Sequence, residues 1–284
     1  MWRATLLLLA SLLAAPTAAQ AADGFFLTSD GVRLHYIESG PRTAPVVLFI
    51  PGWTMPAWIF QRQITGLSPY YHVVAMDPRG QGESEIPATG YEPVRRGQDI
   101  ADMIAALGNR QVTLVGWSLG VLDSLSYVHR FGDGQLSALV LLDNSVGEDP
   151  APVPGPPTPR ARHPRVLREV AMARFVRSMF HRPQDDAYLQ ALTEAALRTP
   201  PDAAAALLSY PVPRTYWREA VYAVHKPILY IVTPRLSGQA ENLAARHADV
   251  QSDVYSDAGH ALFIDDGNRF NAELLNFLQA KVRR

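Results

Sequence analysis

Five short runs of the chain are apolar at nearly every position: Val46 to Ile50, Val73 to Met76, Val112 to Val115, Ala138 to Leu142 and Ile228 to Val232. A strand covered on one face alternates apolar and polar residues, whereas one covered on both faces has no reason to. The runs therefore predict buried strands. Ahead of them, Phe25 to Leu27 and Val32 to Glu38 do alternate, around Asp30-Gly31, which predicts a β-hairpin. A further strand is expected over Val250 to Tyr255. Apolar residues recur at helical spacing in Val94 to Leu107, Leu119 to Phe131 and Arg269 to Val282. Strand, helix, strand in repeated order predicts an α/β fold, a mostly parallel central sheet flanked by helices.

The alternation breaks after residue 147. Pro150 to Pro159 is too crowded with proline for regular helix or central strand. Three helix-like stretches follow, Arg165 to Phe180, Gln184 to Arg198 and Asp202 to Ser209, before Pro227 reopens the strand pattern. The expected organisation is a core over 22–147 and 225–284, with a helical cap inserted over 148–224. The arginines of the insertion, among them Arg168, Arg174, Arg177 and Arg182, are expected on a solvated face.

The N-terminus changes the picture of where the chain works. Arg3 precedes an apolar run, Ala4 to Ala15, followed by the small residues around Ala19 and Ala21. This is the layout of a secretory signal peptide over 1–21, cleaved near Ala21, and the run is short for a membrane span. Export to the periplasm or beyond is expected. The chain has no cysteine, so disulfides, a lipidated cysteine and thiolate-bound zinc are excluded. The 284 residues carry 48% hydrophobic and 19% charged side chains, enough for a full core. A formal net charge of −1 provides no basic field for nucleic acid.

The chemistry gathers at Gly116-Trp117-Ser118-Leu119-Gly120, between a predicted strand and a predicted helix. A serine on such a turn sits in strained backbone geometry, and small residues two before and two after let the chain fold back on itself. The turn would lift the Ser118 hydroxyl above the sheet edge and aim the Leu119 amide at the space where negative charge develops. No histidine pair has metal-ligand spacing, no dinucleotide fingerprint is present, and the lysine of a phosphate-binding loop is missing. No metal and no cofactor are expected.

Together with this pentapeptide, Pro51-Gly52-Trp53, Asp77 to Ser84 and Gly259-His260-Ala261-Leu262-Phe263 make the chain resemble the α/β-hydrolase fold family over essentially its whole length after residue 21. The resemblance implies a serine hydrolase scaffold of the esterase, lipase or perhydrolase kind. Ser118 would be the nucleophile, which suits acyl transfer, where related dehalogenases and epoxide hydrolases attack with a carboxylate. His260 would be the general base and acid. The backbone amides of Trp53 and Leu119 would form the oxyanion hole, although Pro51 stands where the family usually has histidine. Asp77 and Arg79 would be scaffold.

The acid departs from the common pattern. Most relatives carry it after the strand that follows the cap, and here Thr233 to Gln239 contains no carboxylate. The resemblance offers a second position at the end of the strand before the cap, occupied by Asp143; Glu241, Asp253 or no acid at all stay open beside it. The implied function is an exported serine hydrolase cleaving a small-molecule carboxylic ester or lactone through an acyl-enzyme. A cofactor-free perhydrolase or haloperoxidase-like enzyme, or a ligand-binding relative without turnover, are the alternatives. Met172, Phe175, Met179, Tyr216, Trp217 and Tyr222 are candidates to line an apolar acyl pocket.

Overall fold

The computed structural model describes residues 21–151 and 167–282. The expected signal peptide, apart from residue 21, and most of the proline-crowded stretch lie outside the described residues.

Eight strands form one sheet, β1 (Ala22–Leu27), β2 (Arg33–Ser39), β3 (Val46–Ile50), β4 (His72–Met76), β5 (Val112–Trp117), β6 (Leu136–Leu142), β7 (Ile228–Val232) and β8 (Val250–Val254). Their spatial order is β1-β2-β4-β3-β5-β6-β7-β8. The first two form the expected hairpin, with Phe26 opposite Leu34, and β2 runs antiparallel to β4. All remaining pairs are parallel.

The apolar runs do what unbroken hydrophobicity requires. Successive strand side chains point to opposite faces, so β3 sends Val46, Leu48 and Ile50 into one core cluster and Val47 and Phe49 into the other. β4 divides the same way, Val74 and Met76 against Val73 and Ala75. Each buried Val, Leu, Ile, Phe or Met among them contributes roughly 1.5–3 kcal/mol of transfer free energy.

Helices cover both faces: α1 (Gln61–Leu67), α2 (Pro93–Ala106), α3 (Leu119–Phe131), α4 (Arg168–Ser178), α5 (Asp186–Arg198), α6 (Pro201–Leu207), α7 (Arg214–Tyr222), α8 (Ser237–Arg246), α9 (Leu262–Asp265) and α10 (Gly267–Lys281). Proline opens α2, where its fixed φ suits the first turn, and Gly108 follows its end at φ 79°. α3 is buried along ten consecutive residues, Leu119 to Val128, so it is a core helix and not a surface one.

Among the described residues four helices, α4 to α7, stand between β6 and β7 where three were expected; α7 is the addition. The arginines of α4 and α5 mostly find surface partners, as in Arg177 with Asp186 and Arg198 with Glu83. The stretch Thr233 to Gln239, expected as a loop, is a short 3-10 turn at Pro234–Leu236 running into α8. Among the described residues no helix is long and apolar enough to cross a membrane.

Candidate active site

The ends of the parallel strands β5, β6 and β7 bring the site together, at the carboxyl edge where open α/β sheets place their ligands. Ser118 follows β5 with φ 55° and ψ −119°, backbone geometry that costs on the order of 1–3 kcal/mol outside glycine. The flanking glycines explain how it is held. A Cβ on Gly116 would lie 2.4 Å from the Gly120 carbonyl oxygen, and one on Gly120 would lie 2.2 Å from that of Ile50. Any side chain at either position would force the turn open. The Ser118 amide donates to the Leu142 carbonyl at 2.9 Å, tying the turn to the end of β6.

His260 lies between β8 and α9. Its Nε2 is 2.8 Å from Ser118 Oγ and its Nδ1 is 2.7 Å from Asp143 Oδ2. The structure thus brings together Ser118, His260 and Asp143, the three residues singled out from the sequence. The other two carboxylates are elsewhere: Asp253 pairs with Arg269 and accepts from the Val254 amide, and Glu241 sits exposed on α8.

Asp143 is buried and, like Ser118, has a positive φ, 46°. Burial alone would raise its pKa, but hydrogen bonds from His260 and Thr233, with the His260 charge, hold its carboxyl below the usual range. Thr233 is the contribution of the carboxylate-free turn. Its amide and its hydroxyl both donate to Asp143 Oδ1, each at 2.8 Å. The turn after β7 therefore supplies donors to a carboxylate that follows the end of β6.

Four further side chains set the geometry, and none was given a role from the sequence. Asn144 donates to the Ser118 carbonyl at 2.8 Å, and Tyr230 donates to the Asn144 carbonyl. The Trp117 indole donates to the His260 carbonyl at 2.8 Å, so the residue before the serine also holds the histidine backbone. Asp265 accepts from the Gly259 amide and from the His181 amide, both at 2.7 Å, and from the Arg182 amide at 3.1 Å. With Ala261 donating to the Met179 carbonyl, these bonds join the histidine segment to the turn between α4 and α5.

On the other side of Ser118 lies the segment Gly52 to Met55. A Cβ on Gly52 would come 3.0 Å from Ser118 Cβ, which shows how closely this backbone approaches the serine. Gln81, buried, holds the strip at both ends: Oε1 accepts from the Thr54 amide at 2.6 Å and Nε2 donates to the Gly52 carbonyl at 3.1 Å. That gives the Asp77 to Ser84 segment its structural task. Asp77 bonds His35 and the Glu83 amide, and Arg79 makes a buried pair with Asp99. The Leu119 amide opens α3 and has no carbonyl four residues back within its helix to bond. The Trp53 indole donates to the Ala204 carbonyl of α6 at 2.7 Å and packs edge-on against Phe175 of α4.

A cavity of about 490 Å³ opens beside the histidine, lined by Asp143, Phe175, Met179, Thr233, Arg235 and His260 among others. Of the pocket candidates, Phe175 and Met179 reach it. Trp217 belongs to the core with α3, Tyr216 stacks on His129 at 3.9 Å, and Tyr222 donates to Glu148, so these three are packing residues. Met172 is buried in the opposite cluster. Another cavity, about 530 Å³ around Trp58 and Tyr188, contains no residue of the Ser118, His260 and Asp143 group.

The profile of the alpha/beta hydrolase family matches residues 47–273. The chain belongs to the α/β-hydrolase family. Among curated proteins it is 35% identical over 120 residues to a non-heme chloroperoxidase of Streptomyces lividans, 42% of this chain and 44% of that one. It is 32% identical, over the same shares, to a bifunctional esterase/perhydrolase of Acinetobacter calcoaceticus. The chain thus spans less than half the length of these curated relatives. A solved structure of a provisionally assigned aryl esterase from Burkholderia cenocepacia superposes with a TM-score of 0.79 at 25% identity, covering 91% of this chain and 98% of that one.

Proposed function

We propose that this α/β-hydrolase is a serine hydrolase that cleaves a carboxylic ester or lactone through an acyl-enzyme. One observation carries the reading: an unbroken relay from Ser118 Oγ through His260 to Asp143, at 2.8 and 2.7 Å, with the serine on a strained turn and a cavity beside the histidine. His260 Nε2 takes the hydroxyl proton as Ser118 Oγ attacks the acyl carbon. Asp143 accepts the Nδ1 proton's hydrogen bond, fixes the tautomer and stabilises the imidazolium. The amides of Trp53 and Leu119 receive the charge that develops on the carbonyl oxygen. The imidazolium then protonates the leaving oxygen, and a water activated by the same nitrogen releases the acid.

A second reading rests on the similarity to the esterase/perhydrolase and the chloroperoxidase. The same acyl-enzyme attacked by hydrogen peroxide instead of water yields a peroxyacid. Product analysis with peroxide present separates the two, as the ratio of peroxyacid to acid. Export after cleavage near Ala21 is also proposed, and the N-terminal residue of exported protein checks it.

The test is Ser118→Ala together with a fluorophosphonate probe. Hydrolysis of a chromogenic ester panel should fall on the order of 10⁴-fold or more, with the fold intact and labelling abolished. A wild-type protein that neither labels at Ser118 nor cleaves any ester or lactone would support a binding role instead.

A further inference from the structure

Every side-chain hydrogen bond of the buried Gln81 goes to one four-residue turn, Gly52 to Met55, which is closed by the Met55 amide on the Gly52 carbonyl at 3.1 Å. The glutamine's own backbone is pinned. Its amide donates to the Pro78 carbonyl at 2.9 Å, and its carbonyl accepts from the Ser84 amide at 3.1 Å.

Of the two central residues of the turn only Thr54 has a positive φ, 59°, which makes it a type II turn. That third position suits glycine or asparagine, and a β-branched residue there is strained. The strain is relieved by flipping the peptide between Trp53 and Thr54, which sends the Thr54 amide to the opposite side of the turn. Gln81 opposes the flip, because its Oε1 accepts from that amide at 2.6 Å where both residues are buried.

The other end of the carboxamide acts on the preceding peptide. A trans peptide is planar, with its N–H pointing opposite to its C=O. Gln81 Nε2 and the Met55 amide both donate to the Gly52 carbonyl, each at 3.1 Å, so the Trp53 N–H of the same peptide points away from Gln81. Among the described residues that N–H has no acceptor. It is a free donor next to Gly52, where an added Cβ would lie 3.0 Å from Ser118 Cβ. A donor stabilises developing charge most when its direction is fixed beforehand. Resting on the serine hydrolase reading, we propose that Gln81 is the positioning residue of the oxyanion hole: its two ends hold a strained turn in the one form that keeps the Trp53 amide aimed and unclaimed.

The experiment reads kcat/KM for 4-nitrophenyl acetate divided by that for its thiono analogue, in which sulfur replaces the carbonyl oxygen. Sulfur is larger and a weaker acceptor, so the ratio reports the aim of the oxyanion donors and cancels losses common to both substrates. Gln81→Met, close in volume but without donor or acceptor, should lower the ratio about 5- to 30-fold. Gln81→Asn, whose shorter amide reaches one end of the turn at most, should lower it about 3- to 10-fold. Adding Thr54→Gly to Gln81→Met should recover about two- to fivefold, because glycine takes a positive φ without strain, even though the Thr54 hydroxyl's bond to the Trp53 carbonyl is lost. A glutamine that served stability alone would lower Tm and both substrates alike, leaving the ratio where it was. The proposal is overturned by a ratio within twofold of wild type in Gln81→Met, or in Gln81→Asn where the methionine variant does not fold; a double variant with no recovery overturns the part given to the strained turn. Ester cleavage by wild type with such an unchanged ratio sinks this inference alone. Wild-type protein that cleaves no ester and takes no fluorophosphonate at Ser118 sinks the hydrolase reading and this one with it.

Discussion

Replacing Asp143 with asparagine tests the relay where the structure makes the sharpest statement. Thr233 directs both its donors at one oxygen of Asp143, and His260 Nδ1 meets the other. An amide in the same place must turn its oxygen to the two Thr233 donors, which leaves its NH₂ facing Nδ1. That nitrogen then accepts, the ring proton moves to Nε2, and the nitrogen 2.8 Å from Ser118 Oγ can no longer take a proton. Recovering the productive tautomer means facing donor against donor at one side of the amide or the other. The lost charged hydrogen bond, about 1.5–3 kcal/mol, and the stranded donor, about 1–3 kcal/mol, together raise the barrier by roughly 2.5–6 kcal/mol, or ~10² to 10⁴ in kcat/KM. The assay is hydrolysis of a neutral chromogenic ester with circular dichroism to confirm folding. Thr233→Val, harmful alone, should return about three- to tenfold in the Asp143→Asn background, because it removes one of the two donors that fix the amide. An Asp143→Asn enzyme within about threefold of wild type, ~0.65 kcal/mol of barrier, would refute the relay, and a double variant no faster than Asp143→Asn would refute the orientation argument.

Asp265→Asn should lower kcat about tenfold with little change in KM and slow probe labelling of Ser118 in parallel, because one side of the amide would face two of the donors that tie the Gly259–His260 backbone to the α4–α5 turn; a fall in Tm alone would make Asp265 merely structural. Stability should also show the depressed Asp143 pKa: the carboxylate's contribution is fully present above the unfolded value near 3.9 and is lost as pH falls through the lower folded value, so the Tm gap between wild type and Asp143→Asn should close below about pH 4. A gap unchanged down to pH 2 would contradict that shift.

The sheet was legible because burial on both faces writes itself into consecutive residues. Val46 to Ile50 could be nothing but a covered strand, and the structure divides those residues between two cores. The elements that escaped are short and carry contrary local signals. α7 spans nine residues behind Pro211 and Pro213, and its aromatic residues pack on α3 and Glu148 and do not line the site. α8 begins at Ser237-Gly238 just after Pro234, a composition that reads as loop until Leu243 and Ala240 are seen packed in the core. In the site, Ser118 and His260 were marked by their immediate neighbours, since a strained turn demands glycines on either side. Thr233, Asn144, Gln81 and Asp265 had no such mark. Each acts through hydrogen bonds to residues elsewhere in the chain, 90 positions away in the case of Thr233 and Asp143, and a lone threonine after a strand carries no local pattern that announces a partner on another strand.

The missing carboxylate in the turn after β7 follows from the same division of labour. With the acid supplied by β6, that turn has only to donate, and Thr233 does so with its amide and hydroxyl. An aspartate or glutamate among residues 234–239 would compete with Asp143 for the Thr233 donors and repel it. A turn without carboxylates therefore leaves Asp143 as the one carboxylate that meets both His260 and the Thr233 donors. The position of Asp143 and the donor role of Thr233 are two consequences of one choice of strand.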